Sequence, residues 1–204
     1  KAYRGRMMTA AEIPQPAVPE KTLPGDFAVW LFILAELSVF ALLFILYAIT
    51  RARFPEMFAE GQANISINAG LGNTLALLTS SYFVVAAQQA LLKNRSKRAV
   101  WNIVLALLSA CVYLTIKGYE YLHVAELGFG LSSNDFYFFY FGLTAFHMFH
   151  VILGMLVLIV LAVKVAVGSY HAERMSEFES GACYWHMVDL LWLILFPLVY
   201  VLHG

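Results

Sequence analysis

Five apolar runs dominate the chain, and each approaches or exceeds the roughly 20 residues that a helix needs to cross a bilayer. They extend approximately from Phe27 to Thr50, Gly72 to Leu92, Ala99 to Leu122, Phe136 to Val163 and Cys183 to Leu202, and no sixth is present. A backbone in hydrocarbon must satisfy its own hydrogen bonds, so runs of this kind fold as helices. The predicted fold is therefore all-α: an integral membrane bundle of five transmembrane helices over residues 26–204, preceded by an arm over residues 1–25. At 61% apolar residues the chain is too apolar for a soluble domain, where about 45–50% is usual. Thirteen basic and thirteen acidic residues balance, which gives no electrostatic reason to expect nucleic acid as a partner.

The arm carries Lys1, Arg4, Arg6, Glu12, Glu20 and Lys21 with four prolines and no apolar stretch of signal-peptide type. It reads as a soluble, weakly structured lead-in. The connections Arg51–Leu71, Lys93–Arg98, His123–Asp135 and Lys164–Ala182 are too short for an extramembrane domain. Asn64 to Asn68 reads as a short extended or interfacial piece. Loop cations set orientation. Lys1, Arg4, Arg6, Lys21, Lys93, Arg95, Lys97, Arg98, Lys164 and Arg174 collect on one side, against Arg51 and Arg53 on the other. This predicts a cytoplasmic amino terminus and a periplasmic carboxyl terminus. The aromatic run Phe136 to Phe141 is expected to form an interfacial belt leading into a contact face. Cys111 and Cys183 lie in separate apolar runs without metal-ligand spacing, and are read as core packing residues.

Ionisable residues inside the runs carry the functional information, since an aspartate at a helix centre costs about 2.5–3.5 kcal/mol on insertion scales. Within Tyr184-Trp-His-Met-Val-Asp-Leu-Leu-Trp192, His186 and Asp189 share a face at i, i+3, with Glu179 near the same stripe and Trp185 and Trp192 on the next. They form either a buried structural pair or a proton or metal site. Glu36 falls near the midplane of the first run, and is either protonated or paired with a cation or a lipid headgroup. Lys117 and Glu120 fit a same-face ion pair or a headgroup anchor, with Tyr119 and Tyr121 at the interface. His147 and His150 share a face of the fourth run, where Gly142 and Gly154 would admit a close neighbour. The second run has hydroxylated and small residues and no charge, and reads as a scaffold helix. No His-Glu-x-x-His, nucleophile-elbow serine or haem-attachment motif is present, so neither a metal nor a catalytic residue is expected on this chain.

Four motifs in order resemble subunit III of the haem-copper oxidase superfamily in its short, five-helix form. They are Trp30-Leu-Phe-Ile-Leu-Ala-Glu36, Lys117-Gly-Tyr-Glu-Tyr121, Phe146-His-Met-Phe-His-Val-Ile-Leu-Gly154, and Phe178-Glu179 followed by Tyr184-Trp-His-Met-Val-Asp189 and Trp192. Together they cover roughly residues 24 to 202. The resemblance implies a non-catalytic, stabilising and lipid-binding subunit of a bacterial terminal oxidase, in the inner membrane, supporting oxygen reduction coupled to proton pumping. It implies direct contact with subunit I, subunit II in the same complex, and haem and copper in those partners. A structural phospholipid is implied in a cleft. Glu36 matches the family's cleft carboxylate, His150 matches a residue near the lipid headgroups, and Lys164 would supply a phosphate contact. Lys117, Glu120, His147, Glu179, His186 and Asp189 are then buried structural groups. Longer members have two further helices before the one matching residues 27 to 50. The Phe27-to-Phe44 segment also resembles an accessory protein of bacterial nitric oxide reductase, which is the alternative. A stand-alone transporter or metalloenzyme would predict broken helices and an inverted repeat; no repeat is evident, and Pro197 is the only proline well inside a run.

Overall fold

The computed structural model describes residues 27–168 and 175–202. The elements are α1 (Phe27–Arg53), α2 (Pro55–Ala63), α3 (Ile67–Leu92), α4 (Ser96–Glu126), α5 (Asp135–Ala166) and α6 (Met175–Phe196), with a π-helical turn over Pro197–Val201. There is no strand among the described residues. Five segments are long and apolar enough to span a membrane: α1, α3, α4, α5 and α6 with its turn. The 1–25 arm, and with it Lys1, Arg4, Arg6 and Lys21, lies outside the described residues, as does Arg174.

The helices extend into stretches that hydropathy assigns to loops, because polar residues there cap them. Ser66 accepts from Ala69 N–H at 3.3 Å and starts α3 well before Gly72. Asn134 accepts from Tyr137 N–H at 3.0 Å and starts α5. Such caps satisfy backbone donors that a helix start leaves open. The Asn64–Asn68 piece is thus a turn between two helices, with Ile67 and Asn68 already helical. The long loop expected after Arg51 is largely α2, entered by Pro55 with Glu56 in its first turn. Both residues suit a helix start.

Neighbouring helices α3 and α4 pack most extensively, through small buried residues such as Ala87, Ala90, Ala99, Ala106 and Ala110. Small side chains let helix backbones approach, which is the main source of packing energy where lipid removes the hydrophobic drive. Ser80 Oγ adds a hydrogen bond to Ala106 O at 2.8 Å. By contrast, α1 buries only Ile33, Phe40 and Tyr47, a single stripe at seven-residue spacing. Its other faces present Leu31, Leu34, Val39, Leu42 and Ile45 outward.

Several sequence expectations change on this framework. Of the aromatic run, only Phe138 is exposed; Phe136, Tyr137 and Tyr140 are buried, Phe136 beneath α2, Tyr137 against Phe129 and Asn64, and Tyr140 among Lys117, Tyr121 and Tyr200. Gly61 of α2 makes the approach to Phe136 possible: a Cβ there would stand 2.1 Å from Phe136 Cδ1. Gly154 likewise seats Trp185, whereas Gly142 has open space beside it. Cys111 is exposed on the outer surface and is not a core residue; Cys183 is half-buried. Tyr119 faces out as expected, but Tyr121 turns inward, donating to Thr144 Oγ1 at 2.7 Å.

Candidate functional site

Glu36 of α1 and His150 of α5 meet across the helix pair. Glu36 Oε2 lies 3.0 Å from His150 Nε2, with side-chain exposures of 22% and 4% respectively. The other ring nitrogen, Nδ1, is 2.8 Å from Phe146 O. A carbonyl only accepts, so Nδ1 is the N–H that donates. One proton remains for Nε2 and Oε2 to share: either a carboxylic acid donates to a neutral imidazole, or an imidazolium donates to a carboxylate. Both forms are neutral as a pair, which makes the position tolerable in hydrocarbon. Phe40 and Phe146 enclose the imidazole at ring distances of 5.3 and 4.7 Å.

One helical turn before Glu36 on α1, Phe32 stacks on Tyr184 at 6.1 Å and begins an apolar cleft. A cavity of about 330 Å³ is bounded by Val29, Phe32, Leu153, Val157, Gly181 and Tyr184. An adjoining space of about 530 Å³ reaches Phe27, Leu161 and Lys164. Lys164 Nζ donates to Glu177 Oε2 at 2.7 Å with both side chains largely exposed. The cleft therefore runs from a solvated ion pair down a wall of α5 towards Glu36 and His150, roughly 20 Å along the helix at 1.5 Å per residue. Glu36 and His150 are brought together, and Lys164 stands at the far end.

Lys117 and Glu120 form the ion pair that their spacing suggests, at 2.9 Å, with side chains 0% and 2% exposed. Burial rules out a headgroup anchor. All three ammonium donors are used: Lys117 Nζ reaches Glu120 Oε2, Tyr140 OH at 3.2 Å and Tyr200 OH at 2.6 Å. Tyr200 OH in turn donates to Glu120 Oε2 at 2.9 Å. Rings of Tyr121, Tyr140, Trp192 and Tyr200 surround the ammonium at 4.5–5.9 Å, a cation–π setting. Pro197 lacks an N–H and breaks the α pattern. The resulting π turn, closed by Leu202 N–H to Pro197 O at 2.9 Å, carries the Tyr200 that reaches Lys117. The freed carbonyls at that end are met by Gln62, which donates to Val199 O at 2.9 Å and Leu202 O at 3.1 Å, and by Arg51, which donates to Leu202 O. Tyr200, Gln62 and Arg51 carry no motif that sequence reading could use.

His147 is fully buried and settled by two bonds. Nε2 donates to Val188 O at 3.0 Å, leaving Nδ1 to accept from Tyr113 OH at 3.0 Å. His186 and Asp189 do not pair with each other; no ion pair or hydrogen bond joins them among the described residues. His186 Nδ1 meets Ser81 Oγ of α3 at 2.7 Å, and Ser81 also stands against the Asp189 carboxyl. The face that sequence reads as self-paired is thus served by a neighbouring helix, and the polar Thr79-Ser80-Ser81 run was the available signal. Glu179 is half-buried beside Cys183, away from that contact. Trp185 and Trp192 are both buried, and Trp192 Nε1 donates to Thr74 Oγ1 at 3.0 Å. Glu120 and His123 stand at the i, i+3 spacing that di-iron bundles use, but Lys117 occupies Glu120 Oε2 and His123 is exposed. No three His, Cys, Asp or Glu side chains converge among the described residues.

Comparison with known proteins places this arrangement. A family profile described as "Cytochrome c oxidase subunit III" matches residues 24–203. A cytochrome c oxidase subunit 3 from Arabidopsis thaliana is 39% identical over 128 residues, 63% of this chain and 47% of that protein. The chain therefore spans about half the length of that relative. One from Synechocystis is 34% identical over 180 residues, 86% of this chain and 75% of the relative. A "Heme-copper oxidase subunit I+III" from Aeropyrum pernix is 28% identical over 180 residues, 85% of this chain and 22% of the longer protein. With five apolar spans, a buried Lys-Glu pair and a profile match over nearly its whole described length, the chain belongs to the cytochrome c oxidase subunit III family.

Proposed function

We propose that this chain is a non-catalytic subunit of a haem-copper oxidase in a bacterial inner membrane, packed against the catalytic subunit I and holding a phospholipid in the cleft between α1 and the α5/α6 pair. The observation that carries the reading is the cleft itself: an apolar channel with Lys164 and Glu177 at its solvated end and the one-proton Glu36–His150 pair beyond its inner end. Acyl chains fit the walls of Val29, Phe32, Leu153 and Val157, and the headgroup phosphate fits the Lys164 ammonium. Every other ionisable cluster inside the spans is committed to holding helices together, which suits a subunit that supports its neighbour during turnover. The relative whose name joins subunits I and III supports contact with subunit I. Haem and copper on the partner subunits would supply the electron transfer. The excess of loop cations at one end of the bundle supports a cytoplasmic amino terminus and a periplasmic carboxyl terminus.

Isolation through this chain in mild detergent tests the reading. The expected result is a complex containing a haem-copper subunit I, with its visible absorption, and phospholipid retained on extraction. A complex containing a haem/non-haem-iron reductase in place of the oxidase would overturn it in favour of a nitric oxide reductase accessory role.

A further inference from the structure

The turn between α3 and α4 gathers Lys93, Arg95, Lys97 and Arg98 within six residues. None of these four side chains has a hydrogen bond or ion pair among the described residues. No acidic residue occurs anywhere on α3, and the first on α4 is Glu120, at the far end of that helix. The charge is therefore uncompensated along both helices that bear it. The backbone concentrates it further: Asn94 adopts a positive φ of 54°, folding the chain back on itself so that the end of α3 and the start of α4 lie side by side. No side chain caps the first turn of α4, which leaves that turn's positive dipole end facing the same space.

That space is a built pocket. A hollow of about 180 Å³ is lined by Ala86, Gln89, Lys93, Arg95, Arg98 and Asn102, and it adjoins an open basin ringed by Asn94, Arg95, Ser96, Lys97 and Arg98. Two arginines and two side-chain amides around one hollow suit a phosphate, whose oxygens accept forked guanidinium bonds. Just past Arg98 on α4, Trp101 is 64% exposed. An outward tryptophan at that position marks the boundary between headgroups and acyl chains. Below it, Tyr82, Val85 and Leu108 present an apolar outer surface. The pocket thus sits at headgroup depth with an acyl-compatible wall beneath it, and basic pockets between spanning helices are a recognised mode of anionic lipid capture.

We propose that the α3–α4 turn is a second lipid site, specific for the phosphate of an anionic phospholipid and separate from the cleft that Lys164 borders. Arg95 and Arg98 grip the phosphate, Gln89 and Asn102 complete its hydrogen bonds, and Lys93 and Lys97 supply the selectivity over zwitterionic headgroups. The site is independent of the reading of the α1 cleft.

The test uses the assembly isolated through this chain, exchanged into phosphatidylcholine and titrated with phosphatidylglycerol, with bound lipid followed by native mass spectrometry. The wild type is expected to bind one tight equivalent per chain at this site. Arg95→Gln/Arg98→Gln should weaken that equivalent by roughly 10- to 30-fold, while Arg95→Lys/Arg98→Lys keeps the charge and most of the affinity. Lys164→Gln should leave it unchanged, which separates it from the cleft lipid. Unaltered phosphatidylglycerol binding in the double glutamine variant would overturn the proposal. So would the absence of a tight equivalent on the wild type, or displacement of the lipid by inorganic phosphate alone at matched concentration.

Discussion

At the scale of single residues, the chain solves one problem repeatedly: an ionisable group in an apolar helix acquires a polar partner on its own or a neighbouring helix, although Glu120 Oε1 and Asp189 Oδ1 stay buried without a bond among the described residues. The Glu36–His150 pair holds one shared proton, so Glu36→Gln, which keeps a donor towards His150 Nε2, should preserve the bundle. Glu36→Ala strands a buried ring nitrogen and should cost about 1–3 kcal/mol. Unfolding in mixed micelles measures both, and a double-mutant cycle with His150→Ala should show coupling of about 0.5–3 kcal/mol. Lys117→Ala is expected to be harsher, about 3–5 kcal/mol, because it leaves the Glu120 charge buried without a counterion. Lys117→Met/Glu120→Gln should recover most of that loss. How much of this was legible depended on sequence separation. Lys117 and Glu120 lie one helical turn apart and could be paired by inspection, whereas Glu36 and His150 sit on different helices and needed the fold. For His186 and Asp189 the same rule misled, because Ser81 of α3 takes the His186 ring nitrogen and stands against Asp189. Coupling between His186→Ala and Asp189→Ala should accordingly vanish in a Ser81→Ala background; coupling that persists would restore the direct pair.

Among the elements, hydropathy located every spanning helix but missed α2, whose nine residues are too few and too polar to register. The signal was Pro55 followed by Glu56, a helix start without a long apolar run behind it. This short helix is nevertheless structural, since it covers Phe136 and sends Gln62 to the carbonyls of the last turn. Gly61→Ala should therefore force α2 off Phe136, costing about 1–3 kcal/mol as overpacking. Gly142→Ala is the control: with open space beside it, the change should be neutral or stabilising by up to about 1 kcal/mol. Thermal unfolding of the two variants side by side decides the point, and equal effects would mean that α2 does not dock through Gly61. The π turn was foreshadowed only by Pro197. That it delivers Tyr200 to a lysine on α4 could not be read from the residues around it.

For the molecule as a whole, apolar side chains facing lipid and those facing another subunit look alike in sequence, so the residues alone do not mark which surface meets a partner. The weakly buried α1 is joined to the bundle by one buried stripe, by Glu36, by the Phe32–Tyr184 stack and by Arg51 at its end, and it forms one wall of the cleft. The central claim is that this chain's acids, lysines and imidazoles hold helices and lipid, and leave redox chemistry to a neighbour. Metal analysis of the isolated complex, followed by separation of its subunits in detergent, tests this most directly. Iron and copper are expected to remain with the partner polypeptides, with no stoichiometric metal on this chain. One tightly held iron, copper or zinc per copy of this chain, lost in His147→Ala or His150→Ala, would contradict the account.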